Sequence, residues 1–384
     1  MAYTPTIWKD GQAPALNAEN LNKMEQGIAG AQNPYTAEQL LSDTTRGMLG
    51  LGTDAVPDDA FVALILGQGV YGYRVKVQLE DGTPVEGSTI SGIEPLTGST
   101  LVSGADGIVL GKSTSKSVTI SCTSPYVDYQ PTNSQVVPST GTITDVTIIL
   151  DHADIVKITS STIAKISHLS KTVDITAVGG GGGGGGYDYA GGSDYGGGGG
   201  GGGNIEHALN VKIIERSLEI SVGSGGLGSG RTISPGNPGG VTSVKFQSEP
   251  KIIVSASGGG GGGGSIEGQV GGASTNGGKG GKGGRGRGSS VIAGEKGFAC
   301  TEHIFGDNSL DIAGSGGGGG GGYTFGNGGS PNGGAGGGGG LLVVHRAVSG
   351  TAPGGGGGGG GGGSGDEQIG SSGGSGGVYL RFHY

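Results

Sequence analysis

Apolar positions recur at helical spacing only near the start of this chain. Leu21, Met24 and Ile28 fall three and four residues apart on one helical face. Asn17 is a good N-cap, Leu16 and Leu21 have the spacing of a hydrophobic staple around it, and Gly30 supplies the stop. One narrow stripe suits a helix packing on copies of itself or on a partner; an ordinary satellite helix is the alternative. A second helical patch starts at Asp58 or Asp59 after Pro57 and carries Phe61, Val62, Leu64, Ile65 and Leu66.

From Tyr71 to Leu150 the period becomes two. Tyr73, Val75, Val77 and Leu79 alternate with polar residues before the Asp81-Gly82 turn. Further strands are expected at Val85–Ile90, Ser99–Val102, Ile108–Leu110, Ser117–Cys122 and Thr142–Leu150, with turn signals at Gly98, Asp106-Gly107 and Asn133. Short strands at this spacing predict a small antiparallel β-sandwich.

Beyond residue 178 the pattern is set by glycine, with 82 of the chain's 99 glycines. Uninterrupted runs occupy 179–186, 196–203, 258–264, 316–322, 336–340 and 354–363. Several follow an apolar lead-in: Val173–Val178, Lys251–Ser255 and Leu310–Ala313. Flexible linkers are one reading of such runs. Against it, the runs recur at similar length, lack interspersed Ser and are bounded by β-branched residues suited to burial. An extended threefold helix has no internal hydrogen bonds, so its N–H and C=O groups point outward. A copy surrounded by others then needs Gly at all three positions of each turn. The expectation is a packed bundle of polyglycine II helices, in a fold that is mainly β and irregular with short N-terminal helices. The expected divisions are 1–66, 67–153 and 154–384.

Composition removes several functions. The net charge is −9, against a nucleic-acid-binding protein. No apolar run is long enough to span a membrane, and Met1–Pro5 lacks the pattern of a secretory signal. Cys122 and Cys300 lie in different compositional halves and are expected as two free buried thiols rather than a disulfide, in a protein made in a cytoplasm. His207, His303, His345 and His383 are scattered without metal-ligand spacing, so no metal or cofactor is expected. No nucleophile elbow or clustered carboxylate pair stands out, so the chain is expected not to be an enzyme.

If glycine is scaffold, recognition falls to the segments between runs. One carries Tyr187, Asp188, Tyr189, Asp194 and Tyr195; another carries Tyr323, Phe325, Asn327 and Asn332. Tyr and Asn among Gly and Ser form the composition of antibody paratopes, and rings also stack on saccharides. Packing of these rings between glycine layers is the alternative. Asp366, Glu367 and Gln368 form a weaker third candidate. The stretch Lys279–Arg287 invites an RNA-binding reading but is short and lacks flanking aromatics. It is expected as a solvated loop, with contact to an anionic surface polymer as the alternative.

The layout resembles glycine-rich distal adhesins of tailed phages, in which polyglycine II helices form a layered sandwich with hypervariable loops at the tip. The text TPTIWKDGQAPALNAENLNKMEQGI is similar to the attachment segment of tail-fibre and receptor-binding proteins from phages of Gram-positive bacteria. LLSDTTRGMLGLGTDAVPDDAF is similar to the connector that follows it. VQLEDGTPVEGSTI, GADGIVLG and SVTI resemble immunoglobulin-like and carboxypeptidase-regulatory-like spacer modules. One departure is that such adhesins are separate proteins on a fibre, whereas here the glycine-rich half is fused to the attachment end. The resemblance implies a non-enzymatic phage receptor-binding protein of the distal tail of a virion, made in the host cytoplasm. Trp8, Leu16, Leu21, Met24 and Ile28 would serve attachment to baseplate or tail proteins and trimer formation, and the tip loops would bind a surface glycan or protein. A glycine-rich structural fibre or cell-surface protein is the alternative, and a tail-spike depolymerase a further rival.

Overall fold

The computed structural model describes residues 71–95, 100–115, 117–138, 143–186, 188–190, 193–230, 234–264, 271–287, 290–292, 294–300 and 302–306, with 316–318, 328, 338–339, 344–345, 347–351, 353–358 and 369–384. Both helical expectations, and with them Trp8, Leu16, Leu21, Met24 and Ile28, lie outside these residues. So does the lead-in Leu310–Ala313. By contact the chain divides into two units. One holds the described residues of Met1–Pro125 with Thr132–Leu150, the other Tyr126–Pro131 with Asp151–Tyr384.

Among its described residues the first unit has seven strands. Those of one sheet are β1 (Tyr71–Gln78), β3 (Glu94–Pro95), β4 (Ile108–Ser113) and β7 (Ile143–Ile149), ordered β3-β4-β1-β7; β2 (Thr89–Ser91), β5 (Ser117–Thr123) and β6 (Thr132–Pro138) form the other. Tyr73, Val75, Val77 and Leu79 are buried as the alternation requires, alongside Ile120, Cys122, Val146 and Ile148. The Asp81-Gly82 and Asp106-Gly107 turns form as expected. Each aspartate accepts the N–H two residues on, from Thr83 and Ile108 at 2.9 Å, and each glycine takes a positive φ. Several details differ from the sequence reading. Of the expected strand Ser99–Val102, Val102 makes only an isolated bridge to Thr89, and Asn133, expected at a turn, is a buried position within β6. β1 and β7 pair in parallel, Gly72 opposite Ile143, so the sheet is mixed. Of the expected strand Val85–Ile90 only Thr89 and Ile90 pair as a strand, within β2, because Gly87 turns out of the ladder at φ 84°.

The second unit begins as a sandwich of two four-stranded sheets. Its strands are β8 (Val156–Ile158), β9 (Thr162–Lys165), β10 (Thr172–Val178), β13 (Ile205–Lys212), β14 (Ser217–Ser221), β15 (Thr242–Phe246), β16 (Ile252–Ala256) and β21 (Gly377–His383). The orders are β13-β10-β21-β8 and β16-β15-β14-β9. Val173, Ile175, Leu218, Ile220, Val244, Phe246, Leu380 and Phe382 fill the space between the sheets. Each such buried side chain contributes about 1.5–3 kcal/mol.

Six of these strands run directly into glycine-rich segments. β10 continues as 179–186, β14 as 223–230 and β16 as 257–264, while 196–204, 234–240 and 369–376 lead into β13, β15 and β21. The apolar lead-ins Val173–Val178 and Lys251–Ser255 are therefore sandwich strands. Antiparallel strand pairs carry over: Val178 faces Ile205 and Gly377 in the sheet, and Gly179 next donates to Asn204 O at 2.9 Å.

Beyond the strands the hydrogen bonds acquire a period of three. Gly179, Gly182 and Gly185 donate to Asn204, Gly201 and Gly198 at 2.8–2.9 Å. Gly180, Gly183 and Gly186 donate to Gly240, Asn237 and Ser234, and Gly181 and Gly184 to Gly374 and Ser371. The carbonyls of the same run accept from Gly259 and Gly262, from Gly226 and Ser229, and from Gly357. One run thus has six neighbours, five of them met at every third residue and the sixth through Gly357, which is the polyglycine II arrangement. The neighbouring run is built alike: Gly196, Gly199 and Gly202 donate to Gly284, Gly281 and Gly278.

Glycine is needed here for space rather than for backbone freedom. Among the described glycines of the bundle only Gly354 has a positive φ. A Cβ on Gly182 would stand 2.1 Å from the Gly260 oxygen, and one on Gly183 would stand 2.1 Å from that of Leu227. With no side chains between them, the two layers close from the ~10 Å of packed sheets to hydrogen-bonding distance. Gly180, above β10, donates at 2.9 Å to Gly240, above β15. Ordering a residue costs about 1–2 kcal/mol and a net hydrogen bond returns about 0.5–1.5. The bundle therefore has little reserve of its own, and the apolar sandwich beneath it supplies stability and register.

Candidate functional site

The chain reverses repeatedly at the end of the bundle far from the sandwich. These returns join Gly186 to Gly196, Gly230 to Ser234, Gly264 to Gly271, Gly284 to Gly294 and Gly358 to Ile369, and a longer one spans 318 to 347. The residues bounding them bond to one another: Gly186 to Ser234, Gly198 to Gly263, Gly196 to Gly284 and Ser371 to Gly358. Rigid helices locked on six sides thus present the ends of the intervening loops together.

Two of these loops join in one small sheet, with the order β11 (Asp188–Ala190), β12 (Ser193–Tyr195), β17 (Arg285–Arg287), β18 (Ser290–Ile292). Asp188 pairs with Tyr195 and Tyr189 with Asp194; Tyr195 in turn pairs with Arg285. The row Asp188, Tyr195, Arg285 therefore unites residues up to 97 positions apart in sequence. Tyr187 lies outside the described residues, as do Tyr323, Phe325, Asn327, Asn332 and Asp366–Gln368. Within the long return, β19 (Gly338–Gly339) pairs with β20 (Val344–His345).

The stretch Lys279–Arg287, expected as a solvated loop, belongs to the bundle through Gly284 and to the tip sheet beyond. In 277–284 residues 277, 278, 280, 281 and 284 are buried or nearly so, while Lys279 and Lys282 are exposed. The same rule holds in 223–230, where residues 223, 226 and 229 are buried and 224, 227 and 230 exposed. In 294–300 Gly294, Gly297 and Cys300 point inward. Helices at the edge of the lattice need small residues only on their inner side. A non-glycine residue at every third position is the sequence signal for such helices, and a search for unbroken glycine runs misses it.

Side-chain networks in this unit secure the scaffold. Asp174 sits on β10 at a bulge opposite Asn210, whose φ is 53°. Its carboxylate accepts the Asn210 N–H at 2.7 Å, Arg381 at 2.8 Å and His383 Nε2 at 3.0 Å. Burial works to raise its pKa; the Asn210 N–H, Arg381 and His383 outweigh this and hold it below the usual carboxylate value. Buried Asp128 accepts the Ser167 N–H at 3.0 Å and the Ser170 hydroxyl at 2.7 Å. A cavity of about 410 Å³ lined by His152, Arg381, His383 and Tyr384 lies beside the Asp174 cluster. Its Arg381 and His383 are committed to that carboxylate, which gives the cavity a structural reading. Among the described residues no three His, Cys, Asp or Glu side chains gather as a metal site. No helix among them is long and apolar enough to cross a membrane.

Cys300 packs with Val178, Ile205, Ile304, Phe305 and Tyr379 where strands pass into bundle. It is free, like Cys122, and burial raises the pKa of both thiols.

A family model described as a glycine-rich domain matches residues 158–383, which cover the second sandwich from the end of β8 and the whole bundle. No curated protein matches the chain.

Proposed function

We propose that this chain, which belongs to the glycine-rich domain family through residues 158–383, is a non-enzymatic receptor-binding protein of a phage or phage-like tail. In this reading the N-terminal segment attaches to baseplate or tail proteins, the first β unit spaces, and the far end of the bundle contacts the bacterial surface. The observation that carries it is the gathering of the chain returns at one end of a bundle in which six neighbours hold each central helix. Loops free to vary in sequence, held by a backbone-only scaffold, suit recognition, because binding residues concentrate on loops positioned by rigid elements. Tyr and Asp in the β11–β12 hairpin, in register with Arg285, offer the ring and polar contacts that saccharides accept. The similarity of residues 4–28 to tail-attachment segments supports the same assignment.

Competition tests it. The purified full chain, added to susceptible bacteria before the particle, is expected to reduce particle adsorption in a saturable, strain-selective way. A Tyr189→Ala/Tyr195→Ala variant with unchanged melting temperature is expected to lose that effect. Adsorption unaffected by saturating folded protein would favour a structural fibre component.

A further inference from the structure

The edge helix 277–284 carries a feature that tip recognition does not use. With three residues per turn, Lys279 and Lys282 stand on one face, and both are exposed. Arg285 follows at the next step of three, where the helix passes into the tip sheet. At about 3.1 Å rise per residue, successive positions are about 9 Å apart along the bundle. A cationic row of this kind is unusual in a chain of net charge −9.

The neighbouring edge helix completes the surface. Phe298 N–H donates to Lys279 O at 2.9 Å and Glu295 N–H to Lys282 O at 2.8 Å, so Phe298 lies beside Lys279 and Glu295 beside Lys282. Phe298 is 57% exposed, and Lys296 next to it is exposed as well. Outward positions of this lattice tolerate Ser, as at exposed Ser224. An aromatic residue beside Lys279 is therefore not demanded by packing.

We propose that the flank formed by Lys279, Lys282, Lys296 and Phe298 binds an acidic polysaccharide, the ring stacking on a sugar face and the ammonium groups pairing with carboxylates or phosphodiesters along the polymer. The row lies parallel to the bundle axis, so a linear polymer can lie along it and lead toward the tip. Among the described residues Glu295 is the one anionic side chain in this surface, and it limits affinity beside Lys282. This deepens the adhesion reading by naming a ligand class, and the flank's binding can be measured independently of any effect on cells.

The full-length protein is titrated with polygalacturonate, with a phosphorylated mannan, with neutral dextran and with single-stranded oligothymidylate. Binding to one or both acidic glycans and none to dextran is expected, the stronger of the two identifying carboxylate or phosphodiester as the preferred anion. Lys279→Gln/Lys282→Gln is expected to weaken binding about ten-fold and to flatten its salt dependence by about two ions, as counterion release requires. Phe298→Ser is expected to weaken glycan binding without changing the salt slope, and Glu295→Gln to tighten it. Melting temperatures of all variants should match the parent, since the side chains are exposed. Acidic-glycan binding that survives both the lysine and the Phe298 variants would overturn the proposal, as would oligothymidylate binding at least as tight. A Tyr189→Ala/Tyr195→Ala variant keeps the two readings apart: loss of cell adsorption with intact glycan binding leaves the flank assigned, and the reverse pattern in the lysine variant leaves only the tip.

Discussion

Replacing one glycine in the heart of the bundle should damage the protein far more than the size of a methyl group suggests. In Gly182→Ala the new Cβ would lie 2.1 Å from the Gly260 oxygen and 2.6 Å from its carbon, against the 3.4 Å at which ordinary contact begins. The obstacle is backbone, so no side chain can swing aside. The helix 257–264 must retreat by about 1.3 Å. Its bonds from Gly259 to Gly180 and from Gly262 to Gly183, both 2.8 Å, then open to about 4 Å, beyond hydrogen-bonding range. Leaving two buried pairs unmade costs about 1–3 kcal/mol each, hence about 4 kcal/mol in all. For a unit of this size that is a fall in Tm of roughly 8–16 °C. Gly230 is the matched control, since nothing lies within 4 Å of its Cβ position and its φ is unstrained. Alanine there should be neutral or stabilise by about 0.4–1 kcal/mol through the unfolded chain. Thermal and urea denaturation of the two variants beside the parent make the test. A Gly182→Ala protein that melts with the parent would refute the lattice and restore the flexible-linker reading.

Other consequences follow from the side chains of the second unit. Asp174→Ala leaves the Asn210 N–H, Arg381 and His383 without their carboxylate and, since Arg381 and His383 are partly solvated, should destabilise by about 1.5–3 kcal/mol, read as a lowered urea midpoint at neutral pH. Because the folded pKa of Asp174 is depressed, its contribution is present above the unfolded value near 4 and is lost as pH falls through the lower folded value. The stability gap between parent and variant should therefore narrow only in acid, below about pH 4. Asp128→Ala strands the Ser167 N–H and two hydroxyls in a buried site and should cost about 2–4 kcal/mol, measurable in the same titrations. Both thiols should be inert to an aromatic disulfide reagent in the native protein and react together on unfolding; rapid native modification of Cys300 would contradict its place beneath the bundle.

Much of this architecture can be read in the sequence where one simple rule governs it. Tyr73 to Leu79 alternate because one face is buried, and Asp-Gly pairs mark turns because glycine alone takes the required φ without cost. The unbroken runs 179–186 and 196–203 are central helices, since only a helix enclosed on all sides excludes every side chain. Edge helices obey a weaker rule, glycine on the inner face alone, and so SPGNPGG and GGKGGKGGR hide among ordinary loop compositions. Strand β6 is hidden for a related reason: only Asn133 and Val137 of its seven residues are buried, leaving no alternation to detect. The parallel pairing of β1 with β7 is a matter of topology, with partners 71 residues apart at Gly72 and Ile143. Of the candidate site, the composition of the Tyr187–Tyr195 segment was legible. Its pairing with Arg285 was not, because the helix ends, and no local pattern, bring the two loops together.

The most direct test of the central claim, that the bundle exists to present its far-end loops to a bacterial surface, is cell labelling by the fluorescent full chain and a loop-replaced partner. In the partner, residues 187–195 are exchanged for a Gly-Ser segment of equal length, with an unchanged melting temperature as the check on folding. Saturable labelling of particular strains by the parent, and loss of that labelling in the partner, are expected. Equal labelling by both proteins, or none by the folded parent across strains that adsorb the particle, would contradict it.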